Sequence, residues 1–251
     1  MTDGMTDGPV AGMPEIAAPP DWPEAWFDSA GPVRASAWRG VEAQHVVATM
    51  RLVDTLAEQA VLEQILERSK PRLPPGTEGQ HYLLAAPFRY RPRHGSRFRR
   101  PGALGVWYGA ETLRTACAEV AYWRWRFITD SVGLAGTELL TEHSFFCARV
   151  DGQGIDLCAA PWSAAQALWT HDSDCAPTQR LAAQAAARGL QCIRYPSVRD
   201  AGGVCLAVLQ PQALRQLEPG SPQTWHCRTT ARGVRLLRDD EGYEWSFAAV
   251  V

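Results

Sequence analysis

The chain has 251 residues, 46% of them hydrophobic, so it is long enough for one large domain or two small ones with a substantial core. Its formal net charge of −2 excludes a general electrostatic attraction to nucleic acid or to membranes. The apolar runs are too short to predict a transmembrane helix, and residues 1–20 lack the basic and apolar regions of a secretory signal. We therefore expect a cytoplasmic protein.

The cysteine and histidine patterns argue against disulfides and metal sites. The seven cysteines stand singly, without a CxxC pair, and several fall in apolar runs that are typical of buried strands. The six histidines form no HxxxH or HExxH pair. The sequence therefore predicts reduced thiols and no bound metal.

The N-terminal third begins with a segment of low complexity. Residues 1–35 are rich in Pro, Gly, Ala and Asp, which predicts a flexible arm whose Trp22, Trp26 and Phe27 dock back onto the domain. Residues 36–251 are predicted to form one domain. Within it, Val46–Arg68 has helical periodicity and ends before Pro71, and a loop rich in Pro and Gly runs to Gly79.

Short strands and helices then alternate to the end of the chain. We predict strands over the segments HYLLAA, LGVWYG, SFFCARV, LQCIRY, GVCLAVL and WSFAAVV. Helices are predicted over Thr112–Ile128, with Thr112 as the N-cap, over Trp162–Trp169 and over Pro177–Arg188. This alternation predicts a mixed α+β domain.

A basic and aromatic segment between residues 87 and 126 carries the candidate chemistry. Its first part holds six arginines: Arg89, Arg91, Arg93, Arg97, Arg99 and Arg100. Arg97, Tyr108 and Glu119 follow one another at intervals of eleven residues. Arginine suits a phosphate, an aromatic ring suits a flat heterocycle, and a glutamate suits polarised chemistry. Together they predict a nucleotide-type ligand that is bound and cut.

Each candidate residue also has a plainer interpretation. Glu119 has no basic neighbour at i±3 or i±4 on its predicted helix, so it is either a catalytic carboxylate or a solvated one. Arg97 lies on a turn-rich loop that contacts a ligand anion, contacts RNA or is solvated. Tyr108 ends a strand and either faces a pocket or packs in the core. Ser197 lies in a polar turn and either binds a ligand or caps the turn.

Four segments together resemble a known family. They are GSRFRRPG, VWYGA, TACAEVAYWR and the late run RYPSVRD–GG–CLAVLQPQAL. This combination resembles the RES domain, named for its Arg, Glu and Ser, and the resemblance extends from Trp38 to about Leu217. It implies an ADP-ribosyltransferase-like single domain, in which helices flank a small twisted mixed sheet. Relative to the short members of that family, the chain has a helical insertion at about residues 45–80 and a C-terminal extension at about residues 220–251. It also implies an NAD+-consuming toxin of a bacterial toxin–antitoxin pair.

The resemblance also assigns roles to residues. Glu119 and Arg97 match catalytic residues, Tyr108 and Ser197 match NAD+-binding residues, and the family's early arginine matches either Arg39 or Arg89. No cofactor is implied beyond NAD+ as the substrate, with inorganic phosphate as a co-substrate. The implied protein partner is an Xre-like antitoxin, through which alone the chain would reach nucleic acid.

Three functions stay open at the level of the sequence. The leading hypothesis is cleavage of the nicotinamide–ribose bond by an NAD+ phosphorylase or glycohydrolase. The second is an ADP-ribosyltransferase that uses the same site to modify a protein. The third is an RNA-binding module that uses the arginine-rich loop, which the net charge and the absence of an RNP-like motif disfavour.

Overall fold

The strands and helices come from a computed structural model that describes residues 21–43, 49, 52–134 and 136–247. The described strands are β1 (Gly31–Glu42), β2 (Trp107–Ala110), β3 (Leu139–Asp156), β4 (Cys192–Pro196), β5 (Val204–Val208), β6 (Leu214–Leu217), β7 (Gln223–Thr230), β8 (Gly233–Arg238) and β9 (Glu241–Ser246). The described α-helices are α1 (Leu56–Ser69), α2 (Tyr82–Ala85), α3 (Leu113–Thr129), α4 (Gln166–Trp169) and α5 (Ala176–Ala187). Short 3₁₀ helices occupy Glu24–Ser29, Ala86–Arg89, Val132–Leu134, Trp162–Ala165 and Pro211–Ala213. None of the helices in these residues is long and apolar enough to cross a membrane.

The 18-residue strand β3 organises the sheet. Along one edge it pairs antiparallel with all of β1, from Gly31↔Gly154 to Glu42↔His143. Its other edge pairs in turn with β7, β6 and β4. The path β1–β2–β5–β4–β3 returns to β1, so five strands close on themselves, and β7, β8 and β9 extend the sheet as an antiparallel meander. The predicted mixed α and β class in one domain is confirmed.

Helix α3 packs one apolar face against this sheet. The Thr112 side chain accepts a hydrogen bond from the Thr115 amide at 3.1 Å, as predicted for the N-cap. The buried face is made mostly of small residues and Trp125, and the small residues let the helix backbone lie close to the strands. Glu119 is half-buried at the border of this face and lines a cavity together with residues of β1 and β2.

A cluster of aromatic rings holds the first described residues. Trp22 packs against Trp169 with 4.5 Å between ring centroids, and Trp26 packs against Trp162 at 5.3 Å. Trp162 and Trp169 are fully buried. Residues 21–35 therefore belong to the domain, because buried aromatic area outweighs their loop-like composition. The rest of the predicted arm, residues 1–20, lies outside the described residues.

Three predicted elements differ in the structure. The helix predicted over Val46–Arg68 is interrupted at residues 52–55, and α1 begins at Leu56 after a capping box between Thr55 and Glu58. Thr49 is helical, and the other residues of 46–51 lie outside the described residues. The segment HYLLAA is helical and not a strand, because His81 caps the Leu83 amide and the next residues are strong helix formers. The strand predicted at the C-terminus ends at Ser246, and residues 248–251 lie outside the described residues.

The aromatic cluster makes a stability prediction. We expect Trp162→Ala to lower the free energy of unfolding by about 3–5 kcal/mol, since a fully buried indole is removed. Urea unfolding at a constant m-value measures this change. The matched control is Val132→Ala, which alters a side chain that is 94% exposed and should stay within about 0.5 kcal/mol of wild type. Equal losses in both variants would contradict the prediction.

Candidate active site

A cavity of about 400 Å³ opens between β1, β2, α3 and the loops that precede β2 and follow β4. Its wall combines cationic, acidic and aromatic side chains, among them Arg39, Arg97, Tyr108, Glu119, Tyr195 and Arg199. Its volume falls in the range of small-molecule sites. Four residues that the sequence predicted for a site therefore meet here, although they come from three different elements and a loop.

The Glu119 carboxylate lies in this wall with its two oxygens in different surroundings. Oε1 accepts a hydrogen bond from Ser197 Oγ at 2.8 Å and lies 3.7 Å from the Cys205 thiol. No described residue donates a hydrogen bond to Oε2. Burial raises the pKa of Glu119, and the Ser197 hydrogen bond and the charges of Arg199 and Arg97 oppose that rise. The carboxyl is thus a partly desolvated group beside cations, which is typical of functional carboxylates.

Arg97 is fixed in place by carbonyl groups. Its Nη1 donates to the Trp169 carbonyl at 2.7 Å and to the His171 carbonyl at 3.0 Å. Among the described residues, no carboxylate forms an ion pair with it. The guanidinium therefore keeps its positive charge available to an anion in the cavity.

Arg39 faces the same cavity from β1. Its Nη1 donates to the Tyr108 carbonyl at 2.8 Å, and the guanidinium lies 5.8 Å from the centre of the Trp107 ring. Its Nε is buried and has no hydrogen-bond partner in the described part of the chain. Burial lowers the pKa of Arg39 to about 10, so the side chain stays cationic at neutral pH. A buried cation with an unused donor is suited to an anionic ligand.

Tyr108 ties the arginine-bearing loop to the sheet. Its hydroxyl accepts a hydrogen bond from the Phe98 amide at 3.0 Å and shares another with Ser96 Oγ at 2.8 Å. Burial raises the pKa of this phenol, so it stays neutral. Because the hydroxyl is occupied on the loop side, Tyr108 positions Arg97 and offers its ring to the cavity.

Ser197 lies behind Glu119 and does not line the cavity. Its Oγ accepts hydrogen bonds from the Arg199 and Asp200 amides, both at 3.1 Å, and donates to Glu119. Only 9% of the residue is exposed. Of the two roles considered from the sequence, the structure shows the turn cap, and the same hydroxyl also holds the Glu119 carboxylate.

The family model for the RES domain matches residues 71–230. The chain belongs to the RES domain family. No curated protein matches it. Among solved structures, a chain of the M. tuberculosis MbcT–MbcA toxin–antitoxin complex is 16% identical, with a TM-score of 0.45, and the match covers 77% of this chain and 89% of that one.

The RES match and the cavity agree on Arg97, Tyr108 and Glu119 and separate the two early arginines. Arg97, Tyr108, Glu119 and Ser197 lie inside the matched residues. Arg39 precedes the matched residues, yet it lines the cavity. Arg89 lies inside them but outside the cavity wall, where its Nη1 is 3.4 Å from the Glu67 carboxylate. The structure therefore places Arg39, and not Arg89, beside the other site residues.

Arg199 is a cavity residue of this RES domain that the sequence analysis did not select. Its guanidinium stacks 3.4 Å from the centre of the Tyr122 ring and its Nη1 contacts Asp172 Oδ1 at 2.9 Å. Only 11% of its side chain is exposed. The sequence contains a signal for Arg199, because it lies in the same PSVRD turn as Ser197 and is the basic residue of that turn.

The other arginines of the basic segment mostly support the RES domain's own backbone. Arg99 Nη2 donates to the His94 carbonyl at 2.9 Å, and Arg91 Nη1 lies 3.5 Å from the Gly102 carbonyl. In these contacts the arginines stabilise the loop that carries them. Donors used in this way are not free to bind phosphates, which weakens the RNA-binding hypothesis. Within the described residues, no group of three His, Cys, Asp or Glu side chains is arranged to hold a metal ion.

Because its pKa is raised, we predict that Glu119→Gln increases the stability of the folded protein relative to wild type as the pH rises. The folded wild type holds a proton on Glu119 at pH values where the unfolded chain has lost it, so this residue destabilises the fold as pH rises through its folded pKa. Gln does not titrate. We therefore expect the stability of the variant relative to wild type to increase from about pH 4 to about pH 8 in thermal unfolding.

Glu138→Gln is the matched control with the opposite sign. Arg228 lowers the pKa of Glu138 by a direct hydrogen bond, so the carboxylate contributes stability at neutral pH that is lost as pH falls. Relative to wild type, this variant should be slightly less stable at neutral pH and equal to it in acid. A pH-independent difference for Glu119→Gln would contradict the assignment.

Proposed function

We propose that this chain cleaves the nicotinamide–ribose bond of NAD+ and acts as the toxin of a toxin–antitoxin system. The observation that carries the proposal is the Glu119 carboxylate, which has one oxygen facing a cavity whose wall also presents Arg39, Arg97 and Arg199. An anionic ligand with a cationic reacting centre fits this combination of charges. NAD+ has both features, a pyrophosphate and a pyridinium-linked ribose.

The chemistry requires stabilisation of positive charge on the ribose. When the bond from C1′ to the pyridinium nitrogen breaks, its electron pair leaves on nitrogen and nicotinamide departs neutral. The ribose becomes oxocarbenium-like, and the Glu119 carboxylate stabilises that charge at close range. An oxygen of phosphate or water then bonds to C1′, and a proton is released when the nucleophile is water.

The arginines suit the opposite end of the ligand. Arg97 and Arg39 lack carboxylate partners among the described residues, so either can form two parallel hydrogen bonds with a pyrophosphate. The Tyr108 ring provides a surface for nicotinamide or ribose, and Ser197 holds the carboxylate. In this arrangement the chain needs no metal, and phosphate enters as a co-substrate.

Membership of the RES family supports the toxin role and a protein partner. We infer an Xre-like antitoxin that restrains the enzyme by closing this cavity. Any contact with nucleic acid would belong to the antitoxin.

The central test is incubation of the purified protein with NAD+, with and without inorganic phosphate, read by product mass. We expect nicotinamide with phosphorylated ADP-ribose when phosphate is present, and nicotinamide with ADP-ribose in its absence. Labelled protein bands after incubation with labelled NAD+ and cell lysate would instead favour the ADP-ribosyltransferase alternative. An intact NAD+ pool under every condition would refute the proposal.

Glu119→Gln tests the carboxylate directly. We expect turnover to fall by about 10²–10³-fold, the usual loss when one transition-state contact is removed. The comparison variant is Glu138→Gln, which makes the same chemical change at a surface ion pair and should keep wild-type turnover. Retained turnover in folded Glu119→Gln would remove Glu119 from the reaction.

The two early arginines give a third functional prediction. Arg39→Ala and Arg97→Ala should each weaken the apparent affinity for NAD+ by about tenfold or more, because each removes a charge-assisted contact. Arg89→Ala should leave the affinity unchanged, since it breaks only the contact with Glu67. Isothermal titration with the Glu119→Gln protein measures binding without turnover. An effect of Arg89→Ala equal to that of Arg39→Ala would reverse this assignment.

A further inference from the structure

The two oxygens of Glu119 have different hydrogen-bonding environments. Ser197 Oγ at 2.8 Å and Cys205 Sγ at 3.7 Å both approach Oε1. Oε2 receives no hydrogen bond from any described residue, and it is not among the buried polar atoms that lack a partner. Oε2 is therefore the oxygen that is open to the cavity.

We propose that Ser197 and Cys205 are positioning residues that together hold Oε1 of Glu119 and so direct Oε2 at the ligand. This inference rests on the proposed function for the identity of the ligand, but the positioning itself is a property of the folded protein. It gives the buried thiol a role and separates Ser197 from direct contact with the substrate.

The hydrogen bonds of Ser197 determine where its single proton points. Its oxygen already accepts from the Arg199 and Asp200 amides, which occupy its two lone pairs. The hydroxyl proton is then left for Glu119 Oε1, which must be an acceptor. Ser197 has no remaining lone pair for a substrate hydroxyl, so it acts through Glu119.

Cys205 adds a second, weaker donor from β5. Its side chain is buried, and burial, followed by the charge of Glu119, raises the pKa of the thiol. The thiol therefore keeps its proton at neutral pH and continues to donate. A thiol donates more weakly than a hydroxyl, so it restrains Oε1 while leaving the carboxylate more basic than a hydroxyl would.

Other groups near the carboxylate keep their partners in the Cys205 variants, whereas Ser197→Ala removes the acceptor of the Arg199 and Asp200 amides. The Arg97 and Arg199 charges lower the pKa of Glu119, burial raises it, and the neutral Tyr195 phenol lies on the β4 side. Differences in the Glu119 pKa between variants at positions 197 and 205 then report the two donors.

The test measures the pKa of Glu119 by carboxyl carbon NMR and, in parallel, the acidic limb of the pH–rate profile for NAD+ consumption. We expect Ser197→Ala to move both upward by about one pH unit, because a charge-assisted hydrogen bond is lost. Cys205→Ala should raise them by less, and Cys205→Ser should lower them. Ser197→Thr keeps the hydroxyl and should remain close to wild type.

Two outcomes would overturn the inference. One is an unchanged Glu119 pKa in folded Ser197→Ala, and the other is a shift in the same direction for Cys205→Ala and Cys205→Ser. Ser197→Ala also leaves the Arg199 and Asp200 amides without their acceptor, so if it does not fold, the two Cys205 variants decide the question. If the wild type does not consume NAD+, the proposed function fails, and the NMR titration alone supports or overturns the positioning role.

Discussion

The pairing of β1 with β3 along all 12 residues of β1 is the constraint on which the cavity depends. This ladder closes the sheet, and the single register pair Trp38↔Ala110 joins β1 to the short strand β2. Arg39 is thereby held next to the Tyr108 carbonyl, and α3 is packed across the same opening. A shift of one residue in β1 would turn Arg39 to the opposite face of the sheet and dismantle the anion-binding side of the site.

In the cavity, burial disfavours the charged forms of Glu119 and Arg39, while neighbouring opposite charges favour the ionised carboxylate. Burial raises the pKa of Glu119 and lowers that of Arg39, so each group is destabilised in its charged form. The charges of Arg97 and Arg199 partly restore the ionised carboxylate. Such an arrangement costs stability in the free protein, and a ligand that carries both an anionic and a cationic part would relieve that cost.

Much of the local structure follows from local sequence. Thr112 caps α3 as its type and position predict, and the helix forms over the predicted residues. The error at HYLLAA has a local reason as well, because a short apolar run does not distinguish a strand from a buried helical turn. The anchoring of Trp22 could be suggested but not located, since its partner Trp169 lies far along the chain.

The sequence by itself determined the family, the mixed α and β class and the candidate set that includes Glu119, Arg97 and Tyr108, because these are carried by residue types at short, regular intervals. Only the tertiary structure separated Arg39 from Arg89 and brought Arg199 into the cavity. It also decided that Ser197 lies behind the carboxylate. These outcomes depend on hydrogen bonds between residues far apart in sequence, 78 positions for Ser197 and Glu119, and strand closure fixes such partners while local propensity does not.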